Sequence, residues 1–176
     1  LFIDGTPDTV EDKVGKSFVS AGGDLFDKML NAINLKQDYI FIANAIPWRP
    51  PGNRYPTVEE IKICRPFIFN LIKLLKPKLI VCLGEISTYQ ILDLNHNFIK
   101  TRGKWYSLKS NPINDFDEEY NPYVLPTLNI SYLLTRPDMK RQAWEDMKLL
   151  RDKIKEIWKF YDYIKKKNMF AYCYFI

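Results

Sequence analysis

Asn44 is the polar side chain that closes an apolar run. Tyr39 to Ile42 are β-branched or aromatic, Ala43 is small, and an amide then stands where the apolar pattern would continue. An amide presents an acceptor and donors on one rigid fork, which suits a flat ligand carrying the complementary pair. Capping of a turn is the other use of an asparagine at such a place. Carboxyl groups crowd a second site of this kind: Leu1-Phe2-Ile3 stops at Asp4-Gly5-Thr6-Pro7-Asp8, with Glu11 and Asp12 close behind. The loop after a strand end is where open α/β folds place ligand groups. Phe18 follows Gly15 and precedes Gly22-Gly23, outside any helical pattern. It either tucks into the core or floors a pocket for a planar ligand. Arg49 and Arg54 stand at the two ends of a stiff loop built on Pro47, Pro50, Pro51 and Gly52.

These residues need a scaffold that brings the ends of several strands to one edge. Strands are expected at Leu1 to Ile3, Tyr39 to Ala43, Leu79 to Leu83 and Tyr123 to Thr127, with helical spacing between them. Leu25, Phe26, Met29, Leu30 and Ile33 recur on one helix face. Thr57 and Glu60 form a capping box before a helix carrying Ile61, Cys64, Ile68, Leu71 and Leu75. The continuous apolar run Leu79 to Leu83 reads as a central parallel strand covered on both faces. Gly15 to Ser20 and Leu128 to Pro137 read as loops, as does the acidic stretch Asn111 to Asn121. A long amphipathic helix runs from Pro137 through Trp144, Leu150, Trp158 and Ile164. The expected architecture is α/β, a three-layer α/β/α sandwich with about four mainly parallel strands, whose strand-end loops carry the site.

The chain has 176 residues, of which 47% are apolar, enough for one substantial core. The 26 lysines and arginines exceed the 21 acidic residues, giving a net charge of +5 that favours an anionic partner. Lys165-Lys166-Lys167 either approaches a phosphate backbone or is a solvated helix end. No apolar run reaches membrane-spanning length, and residues 1–20 lack the unbroken apolar segment of a secretory signal, so a cytoplasmic location, no membrane partner and a monomer are expected. Cys64, Cys82 and Cys173 have no C-x-x-C spacing, which points away from a self-contained zinc site or a disulfide scaffold.

The blocks GKSFVSAGGDLFDKML, YIFIANAIPWRPPGNRYPTVEEIKIC, LLKPKLIVCLG, RGKW and PTLNISYLLTRPDMKRQAWEDM occur in an order that resembles the uracil-DNA glycosylase superfamily, in particular its iron–sulfur-containing family 4 branch. The resemblance runs from Leu1 to about Leu150, implying a glycosylase-like domain at 1–153 and a helical extension with an aromatic tail at 154–176. It implies that Asn44 pairs with uracil, that Phe18 stacks on the base within a loop opened by Gly15, and that Ser131 to Arg136, including Leu133 and Leu134, is the segment that presses into DNA. Arg49, Arg54, Arg102 and Arg136 are then the expected phosphate contacts.

The chain also departs from the pattern it resembles. The opening glycine-glutamate-alanine-proline-glycine is here Asp4-Gly5-Thr6-Pro7-Asp8, so Gly5 matches the acidic residue and both aspartates match glycines. Asn129 stands where the family has a histidine, and Trp48 where it has a cluster cysteine. The family's two N-terminal cysteines are absent from this sequence and only Cys64 matches, so no iron–sulfur cofactor and no metal are expected. Trp48 is expected to pack over the Cys64 helix. Two functions follow. One is hydrolysis of the N-glycosidic bond of uracil in DNA, slow at best, with Asp4, Asp8, Asn44 and Asn129 as catalytic groups: Asp4 or Asp8 polarising water, Asn44 holding the base and Asn129 in the histidine's place. The other is a catalytically inactive relative that binds DNA or a protein through the same surface.

Overall fold

The computed structural model describes residues 1–93, 97–108 and 120–166, with side chains as far as residue 159. Five strands form one sheet: β1 (Phe2–Asp4), β2 (Ile42–Asn44), β3 (Leu79–Leu83), β4 (Tyr106–Ser107) and β5 (Tyr123–Thr127), in the order β2-β1-β3-β5-β4. All are parallel except β4, which pairs antiparallel with β5 at the edge. The helices are α1 (Thr9–Val14), α2 (Ala21–Ala32), α3 (Val58–Leu75), α4 (Glu85–Leu92), α5 (Phe98–Thr101), α6 (Ile130–Thr135) and α7 (Lys140–Lys166).

The period-two alternation of the strands sorts the core into two halves. Phe2, Val81, Leu83 and Leu125 face α2, α6 and α7 through Phe26, Leu30, Leu133, Ala143, Met147 and Leu150. Ile3, Ile80, Cys82 and Val124 face α3 and α4 through Ile68, Phe69, Ile72 and Ile91. The result is the expected three-layer α/β/α sandwich, and β3 lies between β1 and β5 with both faces covered.

Three segments differ from their expected form. Tyr39 ends a 3-10 turn at Gln37–Tyr39 and is exposed, because strand pairing begins only where the Phe2 amide donates to the Phe41 carbonyl at 2.8 Å. The stretch after Asp8 is helix: Asp8 and Glu11 form a reciprocal capping box at the start of α1, and Gly15 closes it in the left-handed region at φ 70°. The segment after β5 is also helical, since the Asn129 side chain caps α6 by accepting from the Tyr132 amide. The expected boundary between 153 and 154 falls inside the continuous helix α7, and Ile154 still packs on the core. The loop expected at 111–121, apart from its last two positions, and the aromatic tail with Cys173 lie outside the described residues. So does Lys167, with the side chains of Lys165 and Lys166.

Arg102, expected to contact DNA, is an internal brace. Its guanidinium binds Asp146 through Nε at 3.2 Å and Nη2 at 2.6 Å, and it also donates to the Gln142 carbonyl at 2.8 Å. Asp146 is 2% exposed and accepts a third bond from the Thr127 hydroxyl at 2.7 Å. The pair thus ties the turn after α5 to α7 and to the end of β5. Arg102→Ala leaves the Asp146 carboxylate buried without its counter-charge, and the expected loss is about 3–5 kcal/mol of unfolding free energy. Urea denaturation at neutral pH measures it. A loss under about 1 kcal/mol is what an exposed pair would give.

Candidate functional site

The ends of β1 and β2, the turn after β3 and the cap of α6 meet at one edge of the sheet. Asp4 and Asn44 are register partners on adjacent parallel strands, so their side chains leave the sheet on the same face. Pairing continues past the strands, with the Ala45 amide donating to the Asp4 carbonyl at 2.7 Å and the Ile46 amide to Gly5 at 3.0 Å. The buried Gln90 of α4 donates to the Ala45 carbonyl at 2.8 Å and to that of Ile61 at 3.4 Å. This fixes the backbone directly after Asn44. The Asn44 Oδ1 is buried and has no hydrogen-bond partner. A buried acceptor left unpaired costs about 1–3 kcal/mol, so this atom is set for a donor from outside the chain.

Asp4 is 6% exposed. Its Oδ1 accepts from the Gly5 amide at 2.8 Å and from the Asn129 Nδ2 at 2.6 Å. Asn129 also lies against Gly84, whose φ is +101° and where a Cβ would stand 2.9 Å from the Asn129 Cβ. Only glycine fits there. Burial pushes the Asp4 carboxyl up. The Gly5 and Asn129 hydrogen bonds oppose that rise and the nearby Glu11 and Asp8 charges add to it, leaving the carboxyl at about 7 against an ordinary 3.8.

Asp8, the other proposed water-orienting carboxyl, has both oxygens engaged. Oδ1 accepts from the amides of Val10 and Glu11, and Oδ2 from the Ser20 hydroxyl at 2.7 Å. Burial works against its ionisation, but these bonds and the Arg49 charge outweigh it and the carboxyl lies below its usual value. It is a helix cap, not a free catalytic group. Glu11 does the positioning here, with one oxygen accepting from the Asp8 amide at 2.8 Å and the other from the Phe18 amide at 2.6 Å. That second bond holds Phe18 at φ 56°, a strained value for an aromatic residue. From the other side, Gly23 admits the Phe18 carbonyl to a distance no Cβ would allow, 2.0 Å from where it would stand. The ring stacks on Phe26 at 4.4 Å, and Phe26 meets Phe2 edge-on at 5.2 Å. Gly15, at φ 70°, is the left-handed cap of α1 and has open space where a Cβ would stand.

On α6, Leu133 is fully buried in the core and cannot reach DNA, whereas its neighbour Leu134 is 41% exposed. Ser131 is exposed beside it. Arg136 is exposed and pairs with Asp138, and Arg54 with Glu60 through two bonds of 2.7 Å. Arg49 is half-buried beside the proline loop. A cavity of about 390 Å³ is lined by Tyr55, Ile61, Glu85, Tyr89 and Phe98 among others, and a smaller one of about 140 Å³ lies between α2, α6 and α7. Neither is lined by Phe18, Asn44 or Asn129.

The iron–sulfur cluster of the resembling branch does not fit these residues. Cys64 is buried among Ile46, Ile61, Ile86 and Tyr89, and burial raises its thiol. Trp48 is 39% exposed and is not among the side chains that enclose Cys64. Cys82 is enclosed within β3 and its thiol is pushed up by burial. Among the described residues no group of three or more His, Cys, Asp or Glu is arranged to hold a metal ion.

A family model described as the uracil DNA glycosylase superfamily matches residues 1–148. The chain is 36% identical over 157 residues to the type-4 uracil-DNA glycosylase of Sulfurisphaera tokodaii, covering 86% of this chain and 68% of that protein. It is 34% identical over 113 residues to the type-4 enzyme of Archaeoglobus fulgidus, covering 62% and 57%. With that of Thermotoga maritima it shares 30% over 158 residues, covering 89% and 78%. Among the described residues no helix is long and apolar enough to cross a membrane.

The Asp4 environment has a consequence for stability. The unfolded chain releases this proton near pH 4 and the folded chain holds it to about 7, so the folded state binds more protons between those values. The contribution of Asp4 to stability therefore falls as pH rises from about 4 to 7 and is constant beyond. Asp4→Asn removes that slope, and urea unfolding at pH 5 and pH 8 should show the variant gaining on the parent at the higher pH. An identical pH dependence in both proteins would contradict the assignment.

Proposed function

Because this chain belongs to the uracil-DNA glycosylase superfamily, we propose that it hydrolyses the N-glycosidic bond of uracil in DNA. The observation that carries this reading is the buried, unpartnered Oδ1 of Asn44 at the strand edge. Uracil offers a donor at N3 and an acceptor at O4, the complement of an amide fork, whereas cytosine presents the reverse at those positions. The base must leave the duplex to reach such a site. The free face of Phe18 receives its ring, and Leu134 fills the vacated stack. Ser131, Arg49, Arg54 and Arg136 contact phosphates, the last two by exchanging Glu60 and Asp138 for DNA oxygens.

Bond cleavage develops positive charge on the sugar and negative charge on the departing base. Asp4 supplies a carboxyl to answer these charges, with one oxygen that the fold's hydrogen bonds leave unused. Asn129 holds that carboxyl in place. A second reading, a DNA-binding relative without turnover, is favoured by the fact that neither cavity described is lined by Phe18, Asn44 or Asn129.

Asn44→Ala should reduce the single-turnover rate of excision from a deoxyuridine oligonucleotide by about 100-fold or more, the scale of losing a positioned polar contact, with little change in DNA affinity. Unchanged excision would refute the pocket. Absence of excision in the parent protein, with DNA binding retained, would select the second reading. Binding itself should weaken with salt, log K falling by about 0.7–0.9 per log unit for each phosphate neutralised. Titrating labelled DNA at two salt concentrations measures the slope.

A further inference from the structure

On the glycosylase reading, the departing base needs a hydrogen-bond donor, and the residue in the family's histidine position has none left to give. The Asn129 Oδ1 accepts from the Tyr132 amide at 3.2 Å, and its Nδ2 donates to Asp4 at 2.6 Å and to the Leu83 carbonyl at 3.4 Å. The amide is committed at both atoms. Asp4, standing at a family glycine position, is different. Both of its hydrogen bonds reach Oδ1, and no partner reaches Oδ2 among the described residues. Oδ2 is also not one of the enclosed unpartnered atoms, and Asp4 stands directly beside Asn44 in the strand register.

We infer that Asp4 acts as a neutral carboxylic acid whose Oδ2–H donates to the O2 of the departing uracil, with Asn129 as the residue that positions it. The target atom follows from the base. Asn44 engages N3 and O4, so of the atoms that share the developing charge only O2 and N1 remain, and O2 is the exposed one. In the step, the C1′–N1 bond breaks and its electron pair passes to the base. Asp4 gives its proton to O2, and uracil leaves as an enol that reverts to the keto form in solvent. A water oxygen bonds to C1′, and the proton this water loses returns to the Asp4 carboxylate. One water is consumed and the enzyme is restored.

The surroundings keep this carboxyl protonated. Glu11 and Asp8 face it from α1 and its cap, both acidic. Its neighbour in the register on β2 is the neutral Asn44, its partner at the cap of α6 is the neutral Asn129, the apolar Ile86 of α4 lies against the adjacent Gly5, and Asp24 at the start of α2 is exposed. The same logic keeps other buried carboxylic acids neutral so that they can donate.

The test is the single-turnover rate of uracil excision between pH 5 and pH 9 in the full chain, beside Asp4→Asn and Asp4→Ala. A neutral donor predicts a rate that is flat at low pH and falls about tenfold per pH unit above the carboxyl's titration. Asp4→Asn, which keeps an N–H in the same place, should retain part of the rate and lose that fall. Asp4→Ala should lose about 100- to 1,000-fold, the range seen when one such donor is removed. A rate that rises through pH 7, with Asp4→Asn as inactive as Asp4→Ala, would make Asp4 a base and overturn the inference while leaving the glycosylase reading intact. Excision absent at every pH overturns both. An infrared carboxylic-acid band at pH 6 that disappears in Asp4→Asn supports the inference independently of turnover, and titration of that band below pH 5 overturns it.

Discussion

The contact on which the site depends joins residues 125 positions apart: the Asn129 amide on the Asp4 carboxyl. It fastens the end of the first strand to the cap of α6, across the intervening strand β3. The turn after β3 must therefore be glycine, because Gly84 leaves the space that the Asn129 Cβ fills. One side chain thus ties three elements, capping a helix, satisfying a buried carboxyl and dictating the residue of a neighbouring turn. Parallel strands need long crossovers, so their ends share an edge without being joined. A polar clasp of this kind sets their spacing there.

Around that clasp the chain exchanges chemistry between positions. Where the resembling family has glycine the chain has a carboxyl, and where the family has an imidazole it has an amide that serves the carboxyl. At the cluster positions a ligand becomes an exposed tryptophan, and the remaining cysteine sits in an apolar pocket. The changes run in two directions: Asp4 adds an ionisable group that hydrogen bonds from Gly5 and Asn129 must accommodate, while Asn129 and Trp48 stand where an imidazole and a metal-binding thiol would be.

Much of the architecture was legible. The apolar runs of β3 and β5 were long enough to be read with their boundaries, since burial on both faces leaves no polar interruption. Asn44 and Phe18 stood out because each broke the pattern of its segment. Glu11 and Gln90 were missed as positioning groups for a physical reason: their work is done on backbone atoms of distant residues, which spacing in the chain does not reveal. The Asp8-x-x-Glu11 spacing was the signal available for α1. Arg102 was misread because a loop arginine looks the same whether it faces solvent or a buried aspartate. Leu133 and Leu134 were indistinguishable until the helix assigned one to each side.

The stacked rings of Phe2, Phe26 and Phe18 have a consequence for stiffness. Phe18 is the outermost member of a column rooted in a core strand, and its backbone is clamped on one side by a carboxylate and on the other by a glycine-lined helix. A wall built this way has the stiffness of the protein interior and not of a loop. A flat group resting on the last ring would meet a face backed by the core, one that cannot reshape itself to what it touches.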